Sequence, residues 1–93
     1  MLSLCSVNYG PTVAGKQAQA KAQIANFYIA LDSYRHDVGD YPATVEGLAA
    51  LRVGAGHRGW NGPYMPQDIP LDPWGQLYRY VYDGGKPVIT ASR

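Results

Sequence analysis

Ninety-three residues are enough for one small domain with a single core. Hydrophobic residues make up 46% of the chain and charged residues 16%, a globular composition that argues against disorder. The net charge of +1 arises from scattered basic and acidic residues, which excludes the basic surface of a nucleic-acid-binding protein. No apolar run reaches the roughly 18 residues of a membrane span, and the lone Cys5 excludes an internal disulfide.

The first predicted element is a long α-helix. Residues 1–13 contain Gly10-Pro11 and no clear period, so we expect a flexible lead-in followed by one folded domain, residues 14–93. The helix is predicted from about Ala14 to Val38, because apolar residues in its second half recur at spacings of three and four and share one face. This core face consists of Ile24, Phe27, Leu31, Tyr34 and Val38.

The two ends of this helix differ. Gly39 is placed to adopt the left-handed conformation that ends helices, and Tyr41-Pro42 prevents the helix from resuming. The first half, Ala14–Ala22, is rich in the good helix formers Ala, Gln and Lys but carries no continuous apolar stripe. We therefore expect the first half to await a partner outside this domain.

After residue 39 the chain is rich in glycine, proline and tyrosine, which predicts turns and short strands. Thr44 as N-cap and Glu46 in the first turn predict a short helix over Val45–Arg52. A period of two predicts a strand over Gln76–Tyr82, and Asp83-Gly84-Gly85 predicts a hairpin turn before a return strand over Pro87–Ala91. One long helix packed on a small antiparallel sheet is an α+β fold.

No residue pattern in the chain indicates an enzyme. Gly54–Gly59 has the letters of the dinucleotide fingerprint GxGxxG, but no strand precedes it and no helix follows, which favours a mobile loop. His36 and His57 are far apart in sequence and are expected to be solvated. Asp68 and Asp72 flank prolines as turn-capping residues do, and the aspartates lack the spacing of a calcium-binding loop. We predict no catalytic, cofactor-binding or metal-binding residues.

The aromatic residues leave two interpretations open. Trp60, Tyr64 and Trp74, with Tyr41, could form a surface on which a sugar or a base stacks. A small domain with few aliphatic residues also needs aromatic rings to cover its helix, since each ring buries roughly 150–250 Å². We favour packing, and a small aromatic-lined ligand-binding domain remains the alternative.

Three sequence elements together resemble the major pseudopilin of the type II secretion system, the general secretion pathway protein G family. They follow one another at the family's spacing, and a segment like the family's T-x-E-G-L-x-A-L, Thr44–Leu51, lies between the first two. The residues that carry the resemblance are Gly39, Tyr41 and Pro42; Trp60, Asn61, Gly62, Pro63 and Tyr64; and Asp72, Pro73, Trp74 and Gly75. The resemblance covers about residues 16–91.

The resemblance implies a pilin-like fold and a structural role. The expected function is that of a repeating subunit in a periplasmic filament, the pseudopilus, which supports export of folded proteins across the outer membrane. The implied partners are other pseudopilin subunits and the secretion machinery, with an inner-membrane anchor if a full-length form has the family's N-terminal helix. A pilin-like subunit of a type IV pilus or competence system is the alternative within the same fold.

Two family features are not found in this sequence. The family begins with a processing site and an apolar membrane helix, and Met1–Val13 contains neither, so we expect a monomer. The family also commonly has an acidic, glycine-rich calcium-binding loop after the last strand, roughly where Ser92-Arg93 ends this chain. The resemblance suggests calcium, but without that loop we expect no specific calcium site and no other cofactor.

Overall fold

A computed structural model describes residues 13–54, 56–65 and 67–92 of the chain. Within them the elements run in the order helix α1 (Val13–Val38), a 3-10 helix (Gly47–Leu51), strand β1 (Arg79–Val81) and strand β2 (Val88–Thr90). Except for Val13, where α1 begins, the predicted flexible lead-in lies outside the described residues.

Helix α1 matches its predicted bounds to within one residue. Its 26 residues give a length of about 39 Å at 1.5 Å per residue. Gly39 ends it with a φ of 104°, and the Gly39 amide donates a hydrogen bond to the Arg35 carbonyl at 2.8 Å. The predicted left-handed glycine stop is confirmed.

The short helix predicted over Val45–Arg52 is wrong in type and in its start. The structure has a 3-10 helix over Gly47–Leu51, without a side-chain cap at its N-terminus. Gly47 has a φ of 62°, which interrupts α-helical geometry at the point where the helix was expected to extend. The Thr44 hydroxyl does not cap a helix, because it is hydrogen-bonded to the backbone of Tyr82.

The two strands pair as an antiparallel ribbon but are shorter than predicted. The register places Arg79 opposite Thr90, Tyr80 opposite Ile89 and Val81 opposite Val88. The ladder stops where the backbone finds other partners: the Gln76 amide binds Asp72, and the Tyr82 amide binds Thr44. The predicted turn is confirmed, with the Gly85 amide donating to the Asp83 carboxylate at 3.2 Å.

The core lies between the second half of α1, the 3-10 helix and the inner face of the ribbon. Tyr78 and Tyr80 turn inward, and the Phe27 and Tyr78 rings meet edge to face with centroids 5.0 Å apart. Leu77 and Val81 alternate outward and are exposed. The buried hydrophobic residues are Ala20, Phe27, Ala30, Leu31, Tyr34, Leu48, Ala50, Leu51, Met65, Tyr78, Tyr80 and Ile89.

Of the predicted core face of α1, the structure buries the middle most deeply. Phe27, Leu31 and Tyr34 are at most 1% exposed. Ile24 and Val38, at the two ends of the face, are half-buried and pack against the core. Between Ala14 and Gln23 the only buried side chain is Ala20, so the rest of the domain leaves the first half of α1 largely uncovered.

Candidate functional site

The first element of the resemblance forms a clamp at the end of α1. The Asp40 carboxylate accepts hydrogen bonds from the Tyr82 hydroxyl at 2.6 Å and the Tyr41 amide at 2.8 Å. The hydrogen bond from Tyr82 holds the pKa of Asp40 below its usual value. Buried Tyr80 donates its hydroxyl to the Pro42 carbonyl at 2.7 Å. This helix-end clamp (Asp40, Tyr41, Tyr82) therefore joins the segment after α1 to the end of β1.

A second contact holds the Trp60–Tyr64 element against α1. The Tyr64 hydroxyl donates to the Asp37 carboxylate and accepts from the Asn61 amide, each at 2.8 Å. The Gly62–Pro63 peptide between these residues is cis. We call Asp37, Asn61 and Tyr64 the loop clamp, since one phenol oxygen ties the loop both to itself and to the helix.

Trp60 packs beside this clamp as part of the domain. Its indole N–H donates to the Ala50 carbonyl at 3.0 Å, and its ring meets the Tyr64 ring edge to face at 5.5 Å. A Cβ added at Gly54 would lie 3.0 Å from the Trp60 ring, and one at Gly62 would lie 2.6 Å from it. Both positions therefore favour glycine, because a larger side chain would crowd the indole ring.

The letters GxGxxG are explained by the same packing. Gly54 accommodates Trp60, and Gly59 lies against α1, where an added Cβ would be 2.4 Å from the Asp37 carbonyl oxygen. Gly59 also has a φ of 88°, a conformation that favours glycine. The segment between the 3-10 helix and Trp60 contains no strand leading into a helix among its described residues. Close packing therefore accounts for Gly54 and Gly59.

The third element is organised around a buried carboxylate. Asp72, which is 4% exposed, accepts hydrogen bonds from the Trp74 and Gln76 amides at 3.0 and 2.9 Å and from the Ser92 amide at 2.8 Å. Burial alone would raise its pKa, but the hydrogen bonds from Ser92, Gln76 and Trp74 outweigh burial and hold the pKa at about 2. We call these four residues the tail clamp.

The rest of the Asp72 element is a tight turn. The Gly75 amide donates to the Asp72 carbonyl at 2.9 Å, and Gly75 has a φ of 83°. Pro73 and Trp74 are half-buried in this turn, with Trp74 packed against the core. The expectation that Asp72 caps a turn agrees with this geometry, whereas its bond to Ser92 was not predicted. Nothing in the local sequence signals a partner twenty residues away.

The three clamps do not converge into one catalytic site. The clamps share no residue: Asp72 binds its own turn and Ser92, Asp37 binds the Trp60–Tyr64 element, and Asp40 binds the residue after β1. Asp68 is fully exposed and lies 3.5 Å from Arg52. Within the described residues, no group of three or more histidine, cysteine, aspartate or glutamate side chains could hold a metal ion. The carboxylates act as hydrogen-bond acceptors for structure.

The expectation for the histidines is wrong for His57. His36 is exposed, but His57 is half-buried and its Nε2 binds the Glu46 carboxylate. The hydrogen bond with His57 lowers the pKa of Glu46. The His57 ring also meets the Tyr34 ring edge to face at 6.2 Å. The pair fixes the glycine-rich loop to the start of the 3-10 helix.

The remaining surface of interest is the first half of α1. Most of its exposed residues, such as Ala18, Gln19 and Ala22, are small or amide-bearing, and Lys21 is exposed among them. Beside it, a groove between α1 and β2 is lined by Ala20, Ile24, Ile89 and Ala91 among others. Among the residues that the structure describes, no helix combines the length and apolarity that a bilayer crossing requires. This half of α1 is a helix surface without a covering layer in the described part of the chain.

A long helix whose second half packs on an antiparallel ribbon, with its first half uncovered, defines the pilin-like α+β class. The family model "Type II secretion system (T2SS), protein G" matches residues 9–91, nearly the whole sequence. The chain belongs to this family. The resemblance and the fold class inferred from the sequence motifs are thereby confirmed.

Individual relatives and a solved structure agree with this assignment. The chain is 36% identical over 85 residues to the type II secretion system core protein G of Pseudomonas aeruginosa, covering 82% of this chain and 60% of the relative. It is 36% identical over 77 residues to the protein of that name in Vibrio cholerae, covering 78% of this chain and 52% of the relative. The chain thus spans between half and two thirds of the length of these relatives.

The solved structure is the major pseudopilin from the type 2 secretion system of enterohaemorrhagic Escherichia coli. It superposes with a TM-score of 0.66 at 27% sequence identity, covering 84% of this chain and 73% of that one. The match extends the likeness from sequence motifs to the arrangement of the helix and the ribbon.

Proposed function

We propose that this protein is a structural subunit of a type II secretion pseudopilus, of the major pseudopilin type, and supports export of proteins across the outer membrane. The observation that carries the proposal is the division of α1 within a chain of this family. Its second half supplies the core, with Phe27 and Leu31 fully buried, while its first half exposes nearly every side chain. A helix half that the domain does not cover is available to pack against neighbouring subunits.

The partners that follow are other pseudopilin subunits and the secretion machinery. We place the protein in the periplasm, anchored to the inner membrane where a full-length form has the family's N-terminal helix. The family match favours this role over that of a type IV pilus or competence subunit.

A ligand-binding role for the aromatic residues is less well supported. Trp60 donates its indole N–H to the Ala50 carbonyl, and the rings of Trp60 and Trp74 are half-buried against the core, so both already serve in packing. We further propose that the protein has no catalytic role and needs no cofactor. Its carboxylates at Asp40 and Asp72 are already occupied by hydrogen-bond donors.

Deletion of the gene in the source organism tests the proposal. We expect proteins normally secreted by the type II system to accumulate in the periplasm, and the wild-type gene to restore their export. Loss of pili or of DNA uptake with normal export would support the type IV or competence alternative. Normal export with no other defect would contradict a structural role in secretion.

A pair of matched variants then tests the surface. Ala18→Glu places a charge on the exposed first half of α1, and Ala49→Glu places the same charge on an exposed position of the 3-10 helix. We expect the Ala18 variant to fail to restore export and the Ala49 variant to restore it, with both proteins melting like the wild type. Equal restoration by both variants would mean that the first half of α1 is not the assembly surface.

A further inference from the structure

The ribbon has two outer edges, and one hydroxyl group binds each of them. On β2, the Tyr28 hydroxyl donates to the Pro87 carbonyl and accepts from the Ile89 amide, each at 3.2 Å. At the end of β1, the Thr44 hydroxyl donates to the Tyr82 carbonyl at 2.9 Å and accepts from the Tyr82 amide at 2.8 Å. Both hydroxyls come from segments outside the ribbon, namely α1 and the loop that follows it.

The backbone geometry shows that Tyr28 occupies one outward hydrogen-bonding group of β2 and one of the residue just before it. In an antiparallel pair, the N–H and C=O of one residue point to the same side, and successive residues alternate. Because the Ile89 amide reaches Tyr28 on α1, Ile89 points away from β1, and so does Pro87 two residues earlier. Pro87 has no N–H to offer. Tyr28 therefore satisfies the outward donor of Ile89 and the outward acceptor of Pro87.

Without this hydroxyl, β2 could pair with a second copy of itself. A two-fold antiparallel pairing centred on Ile89 would let the two Ile89 residues exchange N–H···O bonds, with Val88 of one copy opposite Thr90 of the other. Lys86 would lie opposite Ser92, so no like charges would meet. Val88 and Val81, exposed side by side on the outer face, would add apolar area. β1 lacks the same opportunity because it packs against the 3-10 helix.

We propose that the Tyr28 hydroxyl closes the edge of β2 against pairing with the β2 strand of a second copy, and that Thr44 completes the closure at β1. An open strand edge beside exposed apolar residues is a template for unwanted pairing. In this protein a single phenol blocks that template. Self-association is then left to other surfaces. The inference concerns the folded domain alone and does not depend on the proposed role in secretion.

The experiment compares Tyr28→Ala with a matched control, Tyr41→Ala, a second half-buried tyrosine, whose hydroxyl is not the one that binds Pro87 and Ile89. Sedimentation equilibrium across a concentration series should show a reversible dimer for Tyr28→Ala and a monomer for the wild type and the control. Amide hydrogen exchange at Ile89 should be faster than in the wild type when dilute and slower when concentrated, because the dimer buries that N–H. A folded Tyr28→Ala protein that remains monomeric at millimolar concentration would overturn the proposal.

Two further variants keep the result decisive. Ala91→Pro removes an outward-pointing donor two residues beyond Ile89, so Tyr28→Ala/Ala91→Pro should return to a monomer. A dimer that survives this change would form through another surface, such as α1, and would contradict the proposal. If Tyr28→Ala fails to fold, Tyr28→Phe, which removes only the hydroxyl, decides the matter. We expect Tyr28→Phe to give several-fold faster exchange at the Ile89 amide and a dimer weaker than the one expected for Tyr28→Ala. A monomer with unchanged exchange at Ile89 would contradict the proposal.

Discussion

The second half of α1 and the chain that follows it share one apolar core, but the second region depends more on long-range hydrogen bonds. In α1, Phe27, Leu31 and Tyr34 are buried by apolar and ring contacts. From residue 39 onward, the two strands supply three residues each, and Asp40, Asp72 and several tyrosine hydroxyls bind backbone and side-chain groups at long range. Hydrophobic burial is non-directional, whereas a hydrogen bond fixes one geometry. The loop region therefore keeps a defined shape with little regular structure.

The largest effect should come from breaking the apolar side of this comparison. Leu31→Ala removes a fully buried side chain from the middle of the core face, and truncation of a buried leucine costs about 2–5 kcal/mol in free energy of unfolding. Urea titrations followed by circular dichroism measure this loss. A midpoint equal to that of the wild type would mean that Leu31 contributes nothing to the core.

Breaking the tail clamp should have a smaller and more local effect. Asp72→Ala leaves the Trp74, Gln76 and Ser92 amides without their acceptor, so we expect a lower melting temperature and faster exchange at these three amides. Asp68→Ala is the matched control, because Asp68 is a fully exposed aspartate in the preceding loop. Uniformly faster exchange throughout α1 would show that Asp72 supports the whole fold and not the loop region alone.

The pH dependence of stability sharpens the comparison further. The pKa of Asp72 in the folded protein, about 2, is below its ordinary value of 3.8. The contribution of Asp72 to the free energy of unfolding is therefore complete above about pH 4 and is lost as the pH falls toward 2. Asp40 and Glu46, whose pKa values are also lowered, act in the same direction. Melting temperatures measured from pH 5 to pH 2 should fall less steeply for Asp72→Asn than for the wild type. Parallel curves would contradict this assignment.

A substitution on the polar face of α1 should have almost no effect. Arg35 lies 3.6 Å from Asp32 and 5.5 Å from the centre of the Tyr41 ring, but its side chain is half-exposed. Exposed pairs of this kind contribute little, so Arg35→Ala should cost no more than about 0.5 kcal/mol. The same urea titration used for Leu31→Ala measures it. A loss comparable with that of Leu31 would mean that the cation contact with Tyr41 stabilises the end of the helix.

Calcium should have no effect at all. A site saturated at about 100 times its dissociation constant adds roughly 2.7 kcal/mol, which would raise the melting temperature of a domain this size by about ten degrees or more. We expect identical melting in millimolar calcium and in excess chelator. A gap of that size would show that the loop region forms a site after all.

The sequence predicted best what depends on neighbouring residues. Helix α1, its stop at Gly39 and the Asp83 turn follow from local period and turn chemistry, and the structure agrees with each. The short helix after Thr44 was wrong because a distant residue, Tyr82, takes the hydroxyl. The contact between Glu46 and His57 was not predicted for a similar reason, since the two residues lie eleven positions apart in a region with little regular secondary structure.

The motifs behind the family resemblance identified residues without giving their partners. Asp72 could be expected to cap its own turn, but only the folded chain brings Ser92 to its second oxygen. Likewise, the tyrosines in and beside β1 could be assigned to one face from their alternation, yet nothing local indicates that Tyr80 reaches Pro42. Long-range polar pairing depends on how the loops pack, which periodicity does not encode.

The position of the two tryptophans gives the protein a natural pair of optical probes. Trp60 and Trp74 both lie in the loop region, the first with its indole N–H on the Ala50 carbonyl, and the sequence has no tryptophan in α1. Intrinsic emission therefore reports the environment of the loops, while ellipticity at 222 nm, a standard helix wavelength, reports mainly the 26 residues of α1. Both signals can be followed in one denaturant titration of the unlabelled protein. Emission and ellipticity that change together would indicate one cooperative unit. A change in emission at lower denaturant concentration would indicate loops that open while the helix persists.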